Sequence, residues 1–429
     1  MSRPDTPERT PAPTTQVSQR PLVVLLAAAG ISLVGTRLSM IALPLFVLST
    51  TGSATRTGVA AFAEMAPYVI AQALAGPVTD RLGARRVSIV CDLVSAVVVA
   101  LIPLLHLLDA LSFGALLALM AVAGLVRGPG DAAKYVLVPP VAAAAGQPVE
   151  RVLGLEDGIN RAASIVGPLG AAALVGLVGA PGALLIDAAS FAVAGLLIAA
   201  GLPRFKPAPD AERDDAPYLT RLRSGARFLR GDRLLRSITG MVAVTNLFDQ
   251  ALAAVLIVVW ARSQGGGAGL MAAVSSALGA GAVIGAVTAS IIGHRLPRRA
   301  TFAVSFFLIG GPRFAVLGLG APLWAVLLVC FIGGLGTGTI NPILGAVELE
   351  RVPEHLRARV LSLINSAAWV LIPFGGLVGG VLSDRLGIST ALLVCGAVYT
   401  VVTVLPALRP EWAEMDRARE PAPAPVSAK

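Results

Sequence analysis

Seven ionisable side chains inside the long apolar stretches of this chain are candidates for chemistry. A charged group within the hydrocarbon of a bilayer is costly unless it faces water, a partner or a transported molecule. Such residues therefore predict a polar pathway, in which carboxylates can carry protons and arginines can pair with them or anchor a substrate. The seven residues are Arg37, Glu64, Asp92, Arg127, Arg161, Asp249 and Arg313.

The clearest polar group surrounds Asp249. Asn246, Asp249 and Gln250 are separated by three and four positions, so a helix places them on one face. They predict a face that lines a wet cavity, with a structural polar bond between helices as the alternative. Glu64 is a second candidate proton carrier, since it also interrupts an apolar stretch.

The elements that must hold these residues are membrane-spanning helices. Of the 429 residues, 55% are hydrophobic and only 14% are charged, whereas a soluble domain carries roughly 25% charged residues. A spanning helix needs about 20 mainly apolar residues. We therefore predict an all-α membrane protein with twelve spans, numbered 1 to 12 in chain order. The apolar runs are 22–48, 58–79, 87–107, 112–137, 152–177, 181–201, 238–262, 268–292, 301–319, 321–347, 360–382 and 388–405.

The basic residues are distributed by side of the membrane. Of the 34 lysines and arginines, 27 fall in the N-terminal arm, the loops after even-numbered spans and the C-terminal tail, with Lys134 at the end of span 4 counted among them. This bias predicts that these loops and both termini are cytoplasmic. A nucleic-acid surface would instead gather basic residues on one face with stacking aromatics, so no nucleic-acid partner is expected.

A polar stretch divides the spans into two sets of six. This stretch is residues 203–236. Its second part, LTRLRSGARFLRGDRLLR at 219–236, predicts a basic amphipathic helix on the inner membrane surface. It is either a tether between bundles or a segment that binds a regulatory partner. The predicted organisation is a disordered cytoplasmic arm at 1–21, a six-helix bundle at 22–201, a cytoplasmic linker at 202–237, a second six-helix bundle at 238–405 and a disordered cytoplasmic tail at 406–429.

A short sequence repeat links the two halves. The pattern Gly-x-x-x-Asp-Arg-Leu-Gly ends span 2 at residues 76–83 and span 11 at residues 380–387. Span 11 is the fifth of its half, so the two copies are expected on opposite sides of the membrane. Inverted three-helix repeats would produce this arrangement.

Residues 76–86, GPVTDRLGARR, resemble the signature loop between helices 2 and 3 of the major facilitator superfamily. The resemblance covers roughly residues 22–405 and implies two six-helix bundles that transport by alternating access. It also implies that this loop latches the two halves in the outward-open state, with a basic loop that only fixes topology as the alternative. The latch residues would be Gly76, Asp80, Arg81, Gly83, Arg85 and Arg86. The loop after span 8 has His294 where the aspartate would be, so no second latch is expected there.

Within this superfamily, the chain is most similar to the drug:proton antiporter branch that contains macrolide-efflux proteins and the enterobactin exporter. Gly167, Pro168 and Gly170 resemble the antiporter motif of helix 5, with a shifted spacing. Thr36 stands after Gly35, where the branch often has an acidic residue. The other matching stretches are ALPL at 42–45, EMAP at 64–67, DL at 92–93, DAASF at 187–191 and ERVPxxLRxRV at 350–360.

The resemblance assigns roles to the ionisable residues. Spans 1 and 7 line the central cavity in the superfamily, so Arg37 and Asp249 are expected to face each other there, beside Asn246 and Gln250. They would form a charge pair, or act as substrate anchor and proton carrier. Arg127 occupies the region of an arginine linked to proton transfer, with a local pair to Asp131 as the alternative. Two further arginines, Arg161 and Arg313, receive no role, and Asp92 is expected to support the latch arginines.

Other functions lack their motifs. The chain has no GxxxxGK[ST] loop, no GxSxG or HExxH sequence and no paired Cys/His spacing, so we expect no ATP use, metal, cofactor or enzymatic activity. The prediction is a monomeric plasma-membrane exporter that couples the outward movement of an amphipathic small molecule to protons. The cargo would be a drug, an antibiotic or a siderophore. The alternatives are a proton symporter or importer of a small metabolite, and a polytopic protein without transport, such as a sensor or lipid-modifying enzyme.

Overall fold

A computed structural model describes residues 18–205, 226–353 and 356–417. Every regular element in these ranges is a helix. A helix bonds all of its backbone polar groups internally, which a chain surrounded by lipid requires.

The twelve spans predicted from the sequence are present. Ten helices are long and apolar enough to cross a bilayer. Ala54–Ala73 and Ala75–Leu82, which are bent by 59° at their junction, together form span 2. The 53-residue helix Val149–Gly201 is broken at Gly179, where φ is 73°, and therefore contains spans 5 and 6. The other spans are Arg20–Thr51, Ala84–Leu107, Phe113–Ala144, Arg233–Ser263, Gly267–Ile292, Arg298–Gly318, Leu323–Arg351, Val360–Leu386 and Ile388–Ala407.

Spans 1–6 and spans 7–12 form two bundles with the same internal packing. In the N-terminal bundle, span 2 packs against span 4 and span 3 against span 6. In the C-terminal bundle, span 8 packs against span 10 and span 9 against span 12, which are the equivalent pairs. The bundles meet each other mainly through spans 2 and 11 and through spans 5 and 8.

Glycines allow spans 2 and 11 to touch. A Cβ atom at Gly58 would overlap the carbonyl oxygen of Gly376, and a Cβ atom at Gly380 would lie 2.5 Å from the carbonyl oxygen of Ala54. Small residues such as these glycines let two helix backbones approach closely. The two bundles are therefore in direct backbone contact along this pair of spans.

The two ends of the molecule differ. We call the end that carries the connection between spans 1 and 2 the 1–2 end, and the end where span 1 begins and span 12 finishes the terminal end.

At the terminal end, part of the tail that was predicted to be disordered is folded. Pro410–Ala413 and Glu414–Arg417 form two short helical turns, and Trp412 is fully buried with its indole N–H donating to Ser237 Oγ at 3.1 Å. Of the segment 219–236, predicted to be an amphipathic helix, residues 219–225 lie outside the described residues. Residues 226–231 are helical, and the helix of span 7 begins at Arg233.

Candidate functional site

In the N-terminal bundle, Arg127 joins spans 1, 2 and 4. Its guanidinium group lies 3.5 Å from Glu64 Oε1 and donates to Thr36 Oγ1 at 3.0 Å. Asp131, one turn further along span 4, lies 3.9 Å away and accepts a hydrogen bond from the hydroxyl of Tyr68 at 3.3 Å. The structure thus brings together two of the predicted proton-coupling residues, Arg127 and Glu64, and also the local partner considered as the alternative.

Asp187 of span 6 is the carboxylate that reasoning from ionisable residues missed. It is 1% exposed and accepts hydrogen bonds from Ser39 Oγ and from Ser190 Oγ. Span 1 passes so close that a Cβ atom at Gly35 would overlap both Asp187 Oδ1 and Ser190 Oγ. Its signal in the sequence was an aspartate inside the apolar run 181–201, the same signal that identified Asp249.

A small cavity connects these groups inside the N-terminal bundle. Its volume is about 30 Å³, which is enough for one water molecule. The polar side chains that line it are Ser39, Glu64, Ser95, Arg127 and Asp187.

Arg37 does not meet Asp249, contrary to the expected pairing. Asp249 is paired with another arginine, whereas Arg37 Nη1 contacts Met40 Sδ at 3.7 Å. The Nε atom of Arg37 is buried without a hydrogen-bond partner among the described residues. The sequence suggested the pair because spans 1 and 7 are equivalent, but Asp249 is paired within its own bundle and Arg37 packs on Gly167 of span 5.

The antiporter-like motif of span 5 packs on Arg37. A Cβ atom at Gly167 would lie 3.1 Å from Cβ and Cγ of Arg37, so Gly167 makes room for the aliphatic part of that side chain. Pro168 is buried, whereas Gly170 has open space beside it. Of the three motif residues, Gly167 is therefore the one that positions an ionisable side chain.

In the C-terminal bundle, Asp249 forms an ion pair with Arg313 of span 9. The side chain of Arg313 is 7% exposed, and the hydroxyl of Tyr399 lies 3.5 Å from Asp249 Oδ2. The backbone is irregular around this group, with a π-helical turn at Leu252–Leu256 and a break in span 9 at Gly310. A π-helical turn within an α-helix is often found at a functional site.

The predicted neighbours of Asp249 have different surroundings. The amide of Asn246 donates to the carbonyl oxygen of Ala368 at 3.0 Å and so joins span 7 to span 11. Gln250 packs its Cβ against Gly375 of span 11. Asn246 therefore makes the structural bond that was the alternative, while Asp249 enters an ionic network.

Asp92 supports a lysine rather than the arginines of the signature loop. Asp92 Oδ1 lies 2.7 Å from Lys134 Nζ, and Lys134 also donates to Ser32 Oγ at 3.3 Å. The expectation that Asp92 supports the latch arginines is wrong, because Arg85 is held elsewhere. Its guanidinium group donates to the carbonyl oxygens of Ala199 and Leu202 at the end of span 6.

The signature loop lies at the terminal end, and Asp80 does not bond there to the other bundle among the described residues. Gly83 has φ 81° and ends the short helix Ala75–Leu82, a conformation that glycine adopts without strain. Asp80 has neither a hydrogen bond nor an ion pair to any described residue. The other predicted latch residues are exposed, namely Gly76, Arg81 and Arg86.

The second copy of the repeat, at the 1–2 end, does form hydrogen bonds with the other bundle. Asp384 accepts hydrogen bonds from Ser53 Oγ at 2.9 Å, from the Ala54 amide at 3.2 Å and from the Thr55 amide at 2.8 Å. These groups form the N-terminus of span 2, where a carboxylate is favoured by the helix dipole and the unpaired amides. Gly387 then ends span 11 with φ 78°, matching Gly83.

Further hydrogen bonds between the bundles lie at the same end or in the middle of the spans. Arg262 of span 7 donates to the carbonyl oxygen of Leu48 at 3.0 Å, and Ser276 Oγ of span 8 donates to that of Ile165 at 2.8 Å. No hydrogen bond joins described residues of the two bundles at the terminal end. This conformation is therefore closed at the 1–2 end.

The stretch ERVPxxLRxRV at 350–360, which resembles the drug:proton antiporter branch, begins at the end of span 10 and stabilises the terminal end of the C-terminal bundle. Glu350 forms a double hydrogen bond with Arg298 at 2.6 and 2.7 Å. Arg351 lies 2.8 Å from Asp232 and 3.0 Å from Glu414. These pairs attach the start of span 7 and the folded part of the tail to span 10.

Comparison with known proteins agrees with this architecture. The family model of the Major Facilitator Superfamily matches residues 25–249 and 239–428. Multidrug efflux pump Tap of Mycobacterium tuberculosis is 31% identical over 410 residues, which are 93% of this chain and 95% of that protein. Macrolide efflux protein A of Streptococcus pyogenes is 20% identical over 387 residues, covering 88% of this chain and 93% of that protein. The crystal structure of nucleoside transporter NupG superposes with a TM-score of 0.73 at 16% identity, covering 90% of this chain and 98% of that one, and shows the shared fold alone.

Proposed function

The chain belongs to the Major Facilitator Superfamily, and we propose that it exports an amphipathic small molecule, such as a drug, antibiotic or siderophore, in exchange for protons. As a member of this family it is a multi-pass membrane transporter and not an enzyme. The multidrug pump and the macrolide efflux protein align with it along most of their lengths, and this similarity supports export as the direction and an amphipathic cargo.

The observation that carries the proton coupling is the presence of a partly buried ionic network within the apolar spans of each bundle. Arg127 contacts Glu64 in the first, and Arg313 contacts Asp249 in the second. A buried ion pair that loses one charge leaves the other uncompensated, which is strongly unfavourable. Protonation of either carboxylate would therefore release its arginine and favour a different arrangement of the spans.

The sidedness of the basic loops supports a location of the terminal end in the cytoplasm. In that orientation the conformation is closed toward the exterior, and the cytoplasmic side is where an exporter takes up its cargo. We propose a plasma-membrane monomer, with Arg37 and Gln250 among the residues that meet the cargo and Asp80 as the latch of the opposite conformation.

Inside-out membrane vesicles from a host without its own drug pumps test this proposal. Ethidium and radiolabelled erythromycin serve as probes, and respiration acidifies the vesicle lumen. We expect the protein to accumulate a probe in the lumen, a protonophore to abolish that accumulation, and Asp249→Asn to lack it while still reaching the membrane.

Two results would contradict the proposal. Accumulation only in right-side-out vesicles would indicate an importer or proton symporter. Accumulation that persists with a protonophore would remove proton coupling. Asp109→Asn is the matched control, because Asp109 lies in the exposed connection between spans 3 and 4 and should transport as the unmodified protein does.

A further inference from the structure

The charges around Arg127 do not balance. The carboxylates of Glu64, Asp131 and Asp187 all interact with its guanidinium group. The other cation nearby is Arg37, which repels Arg127. With every group ionised, three negative charges face two positive ones. The Asp131 side chain is 38% exposed, whereas Asp187 is 1% exposed. One additional proton would neutralise the excess.

Asp187 is the carboxylate of this group that has no cation in contact. Glu64 and Asp131 lie within 4 Å of Arg127, whereas no ion pair reaches Asp187 among the described residues. Its partners are two hydroxyl groups, those of Ser39 and Ser190. A hydroxyl can donate to an ionised carboxylate or accept from a protonated one, so the same surroundings can hold Asp187 in either form.

The route for a proton is short. Asp187, Glu64 and Arg127 line one cavity with room for a single water molecule. That water could pass a proton between the two carboxylates. The remaining charged pair between spans 3 and 4, Asp92 with Lys134, balances its own charge, and Asp92 packs near Gly195, two turns further along span 6.

We propose that Asp187 takes up and releases the coupling proton of the N-terminal bundle, a role that rests on the proposed function. A proton from water adds to a carboxylate oxygen of Asp187, and Arg127 then keeps its contact with Glu64. When the proton returns to water, the ionised Asp187 attracts Arg127 away from Glu64. The two positions of Arg127 favour different arrangements of spans 1, 2 and 4, from which its partners come.

Two transport assays with ethidium separate coupling from transport itself. The first is accumulation in inside-out vesicles with an acidic lumen. The second is exchange of labelled for unlabelled ethidium in proteoliposomes without a pH gradient. We expect Asp187→Asn to lose accumulation entirely, to retain exchange, and to lose the dependence of exchange on pH. Asp109→Asn should match the unmodified protein in both assays.

A second variant keeps the test decisive if Asp187→Asn fails to fold. Ser39→Ala retains the carboxylate and removes a hydrogen bond that stabilises its ionised form. The pH at which exchange is half-maximal should therefore move to higher pH, and an unchanged value would overturn the proposal.

The proposal and the function on which it rests fail in different ways. If the unmodified protein shows no accumulation driven by the pH gradient, the proposed function is wrong. If the unmodified protein accumulates ethidium and Asp187→Asn does so equally, only the role of Asp187 is wrong. If a folded Asp187→Asn protein loses both exchange and accumulation, that role is also overturned, because the result would indicate a structural contribution.

Discussion

At the scale of single residues, the ion pair between Asp249 and Arg313 makes the sharpest energetic prediction. Arg313→Gln leaves Asp249 without its partner, a change that typically costs about 3–5 kcal/mol in a buried pair. Because the Asp249 side chain keeps 37% of its surface exposed, we expect a loss of roughly 2–3 kcal/mol. The double variant Asp249→Asn/Arg313→Gln has no uncompensated charge and should recover much of it. Thermal unfolding of the four proteins in detergent gives the coupling energy.

The chain offers a matched control for this cycle. Arg161 and Asp157 form an ion pair at 2.7 Å on span 5, but their side chains are 43% and 59% exposed. Exposed pairs contribute about 0–1 kcal/mol, so Arg161→Gln and Asp157→Asn should be nearly additive. Additive losses at Asp249 and Arg313 as well would mean that the two groups do not depend on each other.

Gly35 makes a steric prediction. The Cβ atom of Gly35→Ala would overlap the carboxylate of Asp187 and the hydroxyl of Ser190, and overpacking of this kind costs about 1–3 kcal/mol. Gly30 lies on the same span with ordinary contact to Ile159 at 3.6 Å, so Gly30→Ala should instead raise stability by up to about 1 kcal/mol. Thermal unfolding distinguishes the two. Changes of the same sign would show that spans 1 and 6 are not this close.

The sequence could identify which residues are exceptional but not how they pair. Glu64, Arg127 and Asp249 stand out because each interrupts an apolar run, and a helix period relates residues only within one span. The partner of Asp249 lies 64 positions away, and nothing in the spacing favours Arg313 over Arg37. Asp187 has the same signal as Asp249, so its role could have been considered from the sequence alone.

At the scale of elements, Asp384 is expected to hold the 1–2 end closed. Asp384→Ala removes three hydrogen bonds to the N-terminus of span 2, which should shift the balance between closed and open forms by about 1–3 kcal/mol. Ala54→Cys reports this opening, because Ala54 is buried against Ala254 and Val255 of the other bundle. In a background without the native cysteines, its reaction with an impermeant maleimide should become faster.

Asp80 supplies the contrasting variant for the same assay. It occupies the equivalent position in the first copy of the repeat but has no bond to a described residue in this conformation. Asp80→Ala should therefore not accelerate labelling of Ala54→Cys, and should slow it if Asp80 stabilises the opposite conformation. Equal acceleration by both variants would argue against separate latches, and transport that is unaffected by Asp80→Asn would argue against any latch at Asp80.

The spans were predictable as elements because each requires a long apolar run, and such runs are visible in the sequence. Their interruptions were not. The π-helical turn at Leu252–Leu256 lies where span 7 packs against spans 11 and 2, and the break at Gly310 lies against Tyr399 of span 12. Both depend on tertiary packing. The folded part of the tail was also missed, because its charged composition conceals that Trp412 and Met415 are fully buried.

At the scale of the whole molecule, transport by alternating access requires the two bundles to separate at the 1–2 end. In this conformation they touch there through spans 2 and 11, and further along the same two spans the rings of Phe62 and Phe374 lie 5.4 Å apart between centroids. The two spans are held together there by non-covalent packing, including the glycine contacts described above. A linker across this contact should therefore stop the cycle without disturbing either bundle.

Phe62→Cys/Phe374→Cys, joined by a short bis-methanethiosulfonate reagent in a background without native cysteines, tests this requirement. We expect cross-linked protein to lose ethidium accumulation in inside-out vesicles, and a thiol reductant to restore it. A reagent long enough to let the spans separate should leave part of the activity, and each single cysteine variant should be unaffected by either reagent. Undiminished accumulation in fully cross-linked protein would mean that the bundles need not part here, and the cargo would have to leave by another route.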